Sequence, residues 1–317
     1  MLKTPRCADA FAFGVIFTLL AAISWGSMAV AAQLVMARDA INALWLVVVR
    51  LCASGALLLL WVFFTDRAAL CKLVSRLDNL RDTALGAFFI AGGQFAFMQA
   101  IAYSNAGTAA VVLTTVPLWV ALWEAFARRT LPTARMTVCF LLASAGVVLI
   151  VTKGDFSALE FDLRGVLWAL GCAVLTAAYS IQPRALLGRV RVMPFMSCAM
   201  LLGGCMAAVV ALVDGVPEIR LDLLGTALLL HIVLVGTLFA FCCYMTAVCL
   251  ISPVTVGILG CAEPVTAYVL SVLFLHQQVG TFEVIGIVMV LAIVVILSGT
   301  SGRTASGENV LEKSGNR

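Results

Sequence analysis

Glu263 and Pro264 stand together half-way along an apolar run from 252 to 275. Proline removes a backbone donor and leaves a carbonyl one turn earlier unpaired. The pair sets a deep carboxylate beside loose backbone polar groups. An isolated charge in an apolar medium must be paired or neutralised. Such a carboxylate is suited to hold or exchange a proton, or to meet a polar solute. The alternative is a structural role, as the partner of Arg50 or as a polar helix contact.

Arg50 lies within another apolar run, 42–64. It could neutralise Glu263, bind a substrate carboxylate, or snorkel towards headgroups. The depth of Arg50 makes escape awkward, so a structural ion pair is the favoured reading. His231 sits inside the run 222–249. Histidine titrates near neutral pH, which would allow a proton relay; a hydrogen-bonded packing role competes with it. Glu124 and Arg128 are spaced i, i+4, which suits a salt bridge on one helix face better than transport. Trp25, Gln94, Gln99, Tyr179 and Tyr244 complete the candidates. Ligand sites are mostly apolar with a few placed polar groups, and these five match that recipe. For the aromatic ones, packing is the competing reading.

All of these residues except Arg128 lie in runs of about 20 apolar residues, the length of a transmembrane helix. The chain of 317 residues is 63% hydrophobic and 11% charged, with mean hydropathy +1.11. A water-soluble domain is about 25% charged, so lipid is the expected solvent. Ten spans follow: 11–34, 42–64, 82–104, 106–127, 134–152, 163–182, 192–213, 222–249, 252–275 and 281–298. The breaks at 104–106 and 250–252 rest on Ser104-Asn105 and Ser252-Pro253. Lys3 and Arg6 precede an apolar stretch too long for the core of a signal peptide, so it reads as an uncleaved span 1.

Of the 20 Lys and Arg residues, fifteen fall in loops on one side, four on the other, and Arg50 inside a span. The positive-inside rule puts both termini in the cytoplasm and the acidic loop 153–162 outside. The net charge of +4 is spread over short loops, which suits orientation and not nucleic-acid binding. Nine of the eleven cysteines lie inside spans, where free cysteine acts as a small hydrophobe. Cys7 and Cys71 fall on the reducing side. No acid cluster, metal-ligand spacing or phosphate-binding loop is present. The sequence therefore calls for no cofactor and no metal, and an enzyme is not expected. A membrane-embedded lipid-modifying enzyme is the alternative class.

Residues 89–150 match 236–297 without a gap: Phe97 falls on Tyr244, Ala100 on Ala247, Thr108 on Thr255 and Pro117 on Pro264. Five spans per half force the halves into opposite orientations. The expected fold is all-α and integral to the membrane, with ten transmembrane helices as two inverted five-helix repeats. Its bounds are 11–152 and 163–298, followed by a disordered cytoplasmic tail, 299–317. Interrupted helices at matching points of such halves mark the binding site of secondary transporters. Pro117 and Pro264 are the expected helix breaks. The small pairs Gly92-Gly93 and Gly203-Gly204, with Gly257 and Gly260, suit close helix packing.

The chain resembles the drug/metabolite transporter superfamily, in its ten-helix EamA-type members. The resemblance covers nearly all of 11–298. It rests on Ala22-Ile23-Ser24-Trp25-Gly26, Val49-Arg50-Leu51, Ala106-Gly107-Thr108-Ala109-Ala110, Thr115-Val116-Pro117 and Ala262-Glu263-Pro264. Members often carry a Gly-Glu pair at the ends of spans 4 and 9; here Arg128-Arg129-Thr130 and His276-Gln277-Gln278 stand there. The resemblance implies transport of a small organic metabolite, such as an amino acid, nucleoside or drug-like solute, often outward. It also implies a central cavity lined mainly by spans 1, 3, 4, 6, 8 and 9. The expected partners are a small-molecule substrate and the lipid bilayer, with Glu263 and His231 as the proton-coupling candidates. Substrate, direction, coupling ion and oligomeric state, a homodimer included, stay open at this stage.

Overall fold

The computed structural model describes residues 7–39, 41–113, 115–127, 163–213, 221–251, 262–276 and 280–289, with isolated positions between them and near 140 and 292. The described residues form α1 (Cys7–Arg38), α2 (Ala43–Thr65), α3 (Arg67–Val74), α4 (Leu77–Tyr103), α5 (Ala106–Leu113) and α6 (Val116–Ala127). They continue with α7 (Leu163–Ile181), α8 (Arg184–Leu187), α9 (Val192–Ala211) and α10 (Leu223–Val233). A π-helical turn, Leu234–Phe239, joins α10 to α11 (Ala240–Leu250), and α12 spans Ala262–Leu275. A further helix covers 281–289. Among the described residues, seven segments are long and apolar enough to cross a membrane, and α12 is a shorter apolar helix. Most of span 5, the loop 153–162, Arg128 and the tail lie outside the described residues.

The helix starts follow from short polar side chains. Asn42 accepts the Trp45 N–H at 2.8 Å and opens α2. Asp66 accepts the Ala69 N–H and opens α3, a short helix between the spans. Asp222 accepts the Gly225 N–H at 2.7 Å and the Arg38 guanidinium at 2.8 Å, tying α10 to the end of α1. The break expected at Ser104-Asn105 is present. There Asn105 accepts the Thr108 N–H at 2.8 Å, and Gln33 from α1 accepts the Ala106 N–H at 2.9 Å. Each contact satisfies a donor that a helix N-terminus leaves free.

Helices pack through small residues. α2 lies along α9, and a Cβ on Gly204 would stand 2.7 Å from the Cys52 backbone nitrogen. Only hydrogen fits there, which lets the two backbones approach as membrane helices do. α4 packs on α7, and α1 is central, touching both α11 and α12. The core between them is apolar, with Met28, Leu46, Phe195 and Phe241 all buried. The outer surface is apolar too: Phe64 is 77% exposed and Val213 85%. Large patches of this kind mark contact with a non-aqueous or protein surface.

Two interruptions occur at equivalent points of the halves. Span 4 divides into α5 and α6, and Pro117 is the second residue of α6. α12 begins at Ala262, and Pro264 is its third residue. A proline in the first turn removes a donor that no helical carbonyl awaits. Each proline therefore sits just after a break, at the start of the helix that follows. Span 8 departs from the expected single helix. Its π turn inserts an extra residue into the ladder, and such bulges concentrate at functional sites.

Candidate functional site

A cavity of about 450 Å³ opens inside the bundle, and a second of about 400 Å³ adjoins it. Trp25, Leu113, Thr176 and Glu263 line both. The walls come from α1, α4, α5, α6, α7, α11 and α12, which correspond to spans 1, 3, 4, 6, 8 and 9. Both halves of the chain contribute.

Glu263 is the one acid on these walls among the described residues. It is 6% exposed. It does not sit mid-helix, as its place in the run suggested, because the chain breaks before it; it occupies the first turn of α12. The Glu263 N–H bonds back to the Gly260 carbonyl at 2.9 Å. A carboxylate is electrostatically favoured at a helix N-terminus. α1 approaches this point so closely that a Cβ on Gly26 would stand 2.6 Å from the Glu263 carbonyl oxygen. Gly26, next to Trp25, is what permits that crossing.

Aromatic rings form part of the remaining wall. Trp25 meets Tyr244 at 5.1 Å between centroids and Phe241 edge-on at 5.3 Å. Tyr179 stacks on Tyr244 at 6.0 Å and meets Phe241 edge-on at 5.9 Å. These separations fall within the favourable range for ring pairs. The hydroxyls are anchored behind the rings: Tyr244 Oη pairs with Ser180 Oγ at 2.6 Å, and Tyr179 Oη donates to Met196 Sδ at 3.7 Å. Gln94 lines the larger cavity, and its Oε1 is buried without a hydrogen-bond partner.

The other sequence candidates fall elsewhere. Gln99 is half-buried on α4 and lines neither cavity. Five residues separate it from Gln94, which turns it to another helix face. His231 is half-buried in the seam between α10 and α1, with Nε2 3.0 Å from Ser27 Oγ, and lines neither cavity. Pro264 lines the smaller cavity. Pro117 is placed on α6 by its backbone; the side chains of Pro117 and Glu124, and with them the Glu124–Arg128 pair, lie outside the described residues.

Arg50 corrects the expected pairing. It is fully buried, yet no salt bridge joins it to Glu263 among the described residues. Its Nε donates to Thr237 Oγ1 at 2.9 Å and its Nη2 to the Gly236 carbonyl at 3.3 Å. Thr237 in turn donates to the Ile232 carbonyl at 2.7 Å, and Ser54, one turn from Arg50, donates to the Val233 carbonyl at 2.8 Å. The π turn leaves carbonyls short of helical donors, and α2 supplies them. Nothing in the one-dimensional pattern marks that turn.

Several lining residues were not singled out from sequence. Phe97, Thr176 and Phe241 each lie three residues from Gln94, Tyr179 and Tyr244. Residues three apart share a helix face, so that spacing was the signal available. Glu283 was also passed over. It is 1% exposed and caps the 281–289 helix by accepting the Gly280 N–H at 2.6 Å.

Comparison with known proteins gives matches of three kinds. The EamA-like transporter family model matches twice, over 12–152 and 163–299. The uncharacterized inner membrane transporter YicL of Salmonella typhimurium is 29% identical over 298 residues, covering 92% of this chain and 97% of its own. A solved crystal structure aligns with a TM-score of 0.64 at 19% identity, over 91% of this chain and 97% of that one. At that identity the likeness concerns the fold alone.

Proposed function

The chain belongs to the EamA-like transporter family, within the drug/metabolite transporter superfamily, and on that premise we propose that it is a secondary transporter exporting a small organic metabolite across the cytoplasmic membrane. The family and the relative make it a multi-pass membrane transporter of small solutes. The finer reading is ten spans in two inverted halves, 11–152 and 163–298, with both termini cytoplasmic. One observation carries the mechanism: a cavity whose walls come from both halves and, among the described residues, hold a single carboxylate, Glu263. Rocking of one half against the other would expose such a cavity to each side in turn.

Within this reading Trp25, Gln94, Tyr179, Tyr244 and Glu263 contact the solute. Glu263 also exchanges the coupled proton, since a carboxylate buried in an apolar bundle must be neutralised or paired and among the described residues no salt bridge joins it. Pro117 and Pro264 are the points about which the half-helices move. Gln99 and His231 take no part in binding, because they line neither cavity.

A substrate-accumulation screen tests the transport reading. A host deleted for this transporter should retain more of one class of small solute, and re-expression should lower that level. No change in any solute would overturn export. Glu263→Gln should remove the pH dependence of transport while leaving a folded protein. Unchanged transport with an unchanged pH profile would eliminate the proton-carrying role.

A further inference from the structure

The charge and chemistry of the cavity wall define what it selects. The larger cavity carries a carboxylate, Glu263, and among the described residues no lysine, arginine or histidine lines it. An anionic solute would meet repulsion there and find no donor of positive charge. Arg50 is fully buried and lines neither cavity; its Nε and Nη2 donate to Thr237 and Gly236, and its Nη1 has no hydrogen-bond partner. Five rings line the same space: Trp25, Phe89, Phe97, Tyr179 and Phe241. Aromatic faces attract a desolvated cation through the ring quadrupole. Gln94 Oε1 is a buried acceptor that lacks a donor, and a buried acceptor without one is costly. An ammonium N–H would satisfy it.

We propose that this cavity binds a protonated organic amine with an apolar body, its ammonium lying between Glu263, Gln94 Oε1 and the Trp25 ring, and its apolar part against the phenylalanines. The inference rests on the transport reading for its setting and names the substrate class of that site. The carboxylate supplies charge selectivity, the rings supply affinity for the desolvated cation, and Gln94 distinguishes an amine with N–H groups from a fully substituted ammonium.

Three probes of similar size separate the alternatives: phenethylamine, 2-phenylethanol and phenylacetate, which are cationic, neutral and anionic at pH 7. Their binding to the purified full-length protein is measured by titration calorimetry. Phenethylamine should bind at least about tenfold more tightly than either other probe. Glu263→Gln should remove that preference, and Glu263→Asp should keep it. Trp25→Leu should weaken the amine about threefold to tenfold. Each variant is checked for monodisperse elution and an unchanged unfolding temperature. Equal or tighter binding of the alcohol or the carboxylate, no binding of the amine, or an unaltered preference in Glu263→Gln would each overturn the proposal. Amine binding without flux in proteoliposomes would sink the transport reading and leave this one standing. Flux of a solute with which phenethylamine does not compete would do the reverse.

Discussion

Arg50 is held by hydrogen bonds to the π turn, and no salt bridge joins it to Glu263 among the described residues. Arg50→Gln should therefore destabilise the protein by about 1–3 kcal/mol through unsatisfied buried carbonyls, measured as a lowered unfolding temperature in detergent. Adding Glu263→Gln should not restore that loss, because the hydrogen bonds lost are those to the π turn. Asp222, just before α10, shows the opposite case at an exposed helix end. The Gly225 N–H, aided by the Arg38 guanidinium, holds its carboxyl below the usual carboxylate range. A carboxyl lowered on folding stabilises the fold fully above its unfolded value and loses that contribution as pH falls through the lowered one. Asp222→Asn should flatten the acid limb of the stability profile. A limb as steep as the parent's would show that the cap carries no titrating contribution. Asp222 is legible from sequence, as a capping residue before an apolar run. The partners of Arg50 are not, because Gly236 and Thr237 lie far along the chain.

At the scale of the elements, the two prolines share one geometry: each stands in the first turn of a helix that follows a break. The prediction is that Pro117→Ala and Pro264→Ala let the helices run on across those breaks and stiffen the bundle. Transport rate should fall in each while expression and membrane insertion hold. Two variants that transport normally would remove the prolines from the mechanism. The breaks could be read from Pro117 and Pro264 because proline acts on its own backbone. The π turn, Leu234–Phe239, could not. No residue in Leu-Val-Gly-Thr-Leu-Phe forbids an ordinary helix, and the extra residue is accommodated only because Arg50, Ser54 and Thr237 serve the freed carbonyls.

For the whole molecule, the basic residues predict the orientation. A cysteine placed at Ser157 should react with a membrane-impermeant thiol reagent in intact cells, and one placed at Ser306 should not. Labelling at Ser306 with protection at Ser157 would invert the topology. The exposed apolar rim, with Phe64 and Val213 on it, is then the surface that lipid covers.

Sequence by itself determined which segments are apolar, where polar pairs and prolines interrupt them, and that residues 89–150 repeat as 236–297. Each of these is local, or a comparison of the chain with itself: a span is a run of side chains, a polar pair marks its own break, and a proline alters its own turn. It also singled out Trp25, Gln94, Tyr179, Tyr244 and Glu263, because rings and polar groups are informative in a lipid-soluble chain. Tertiary structure alone decided which of them meet. It set Gln99 and His231 off the cavity, brought Phe97, Thr176 and Phe241 into it, and turned Arg50 to the π turn instead of Glu263. Those outcomes depend on the rotation of each helix about its axis and on how closely α1 approaches α12 at Gly26. Both are fixed by packing between residues distant in sequence.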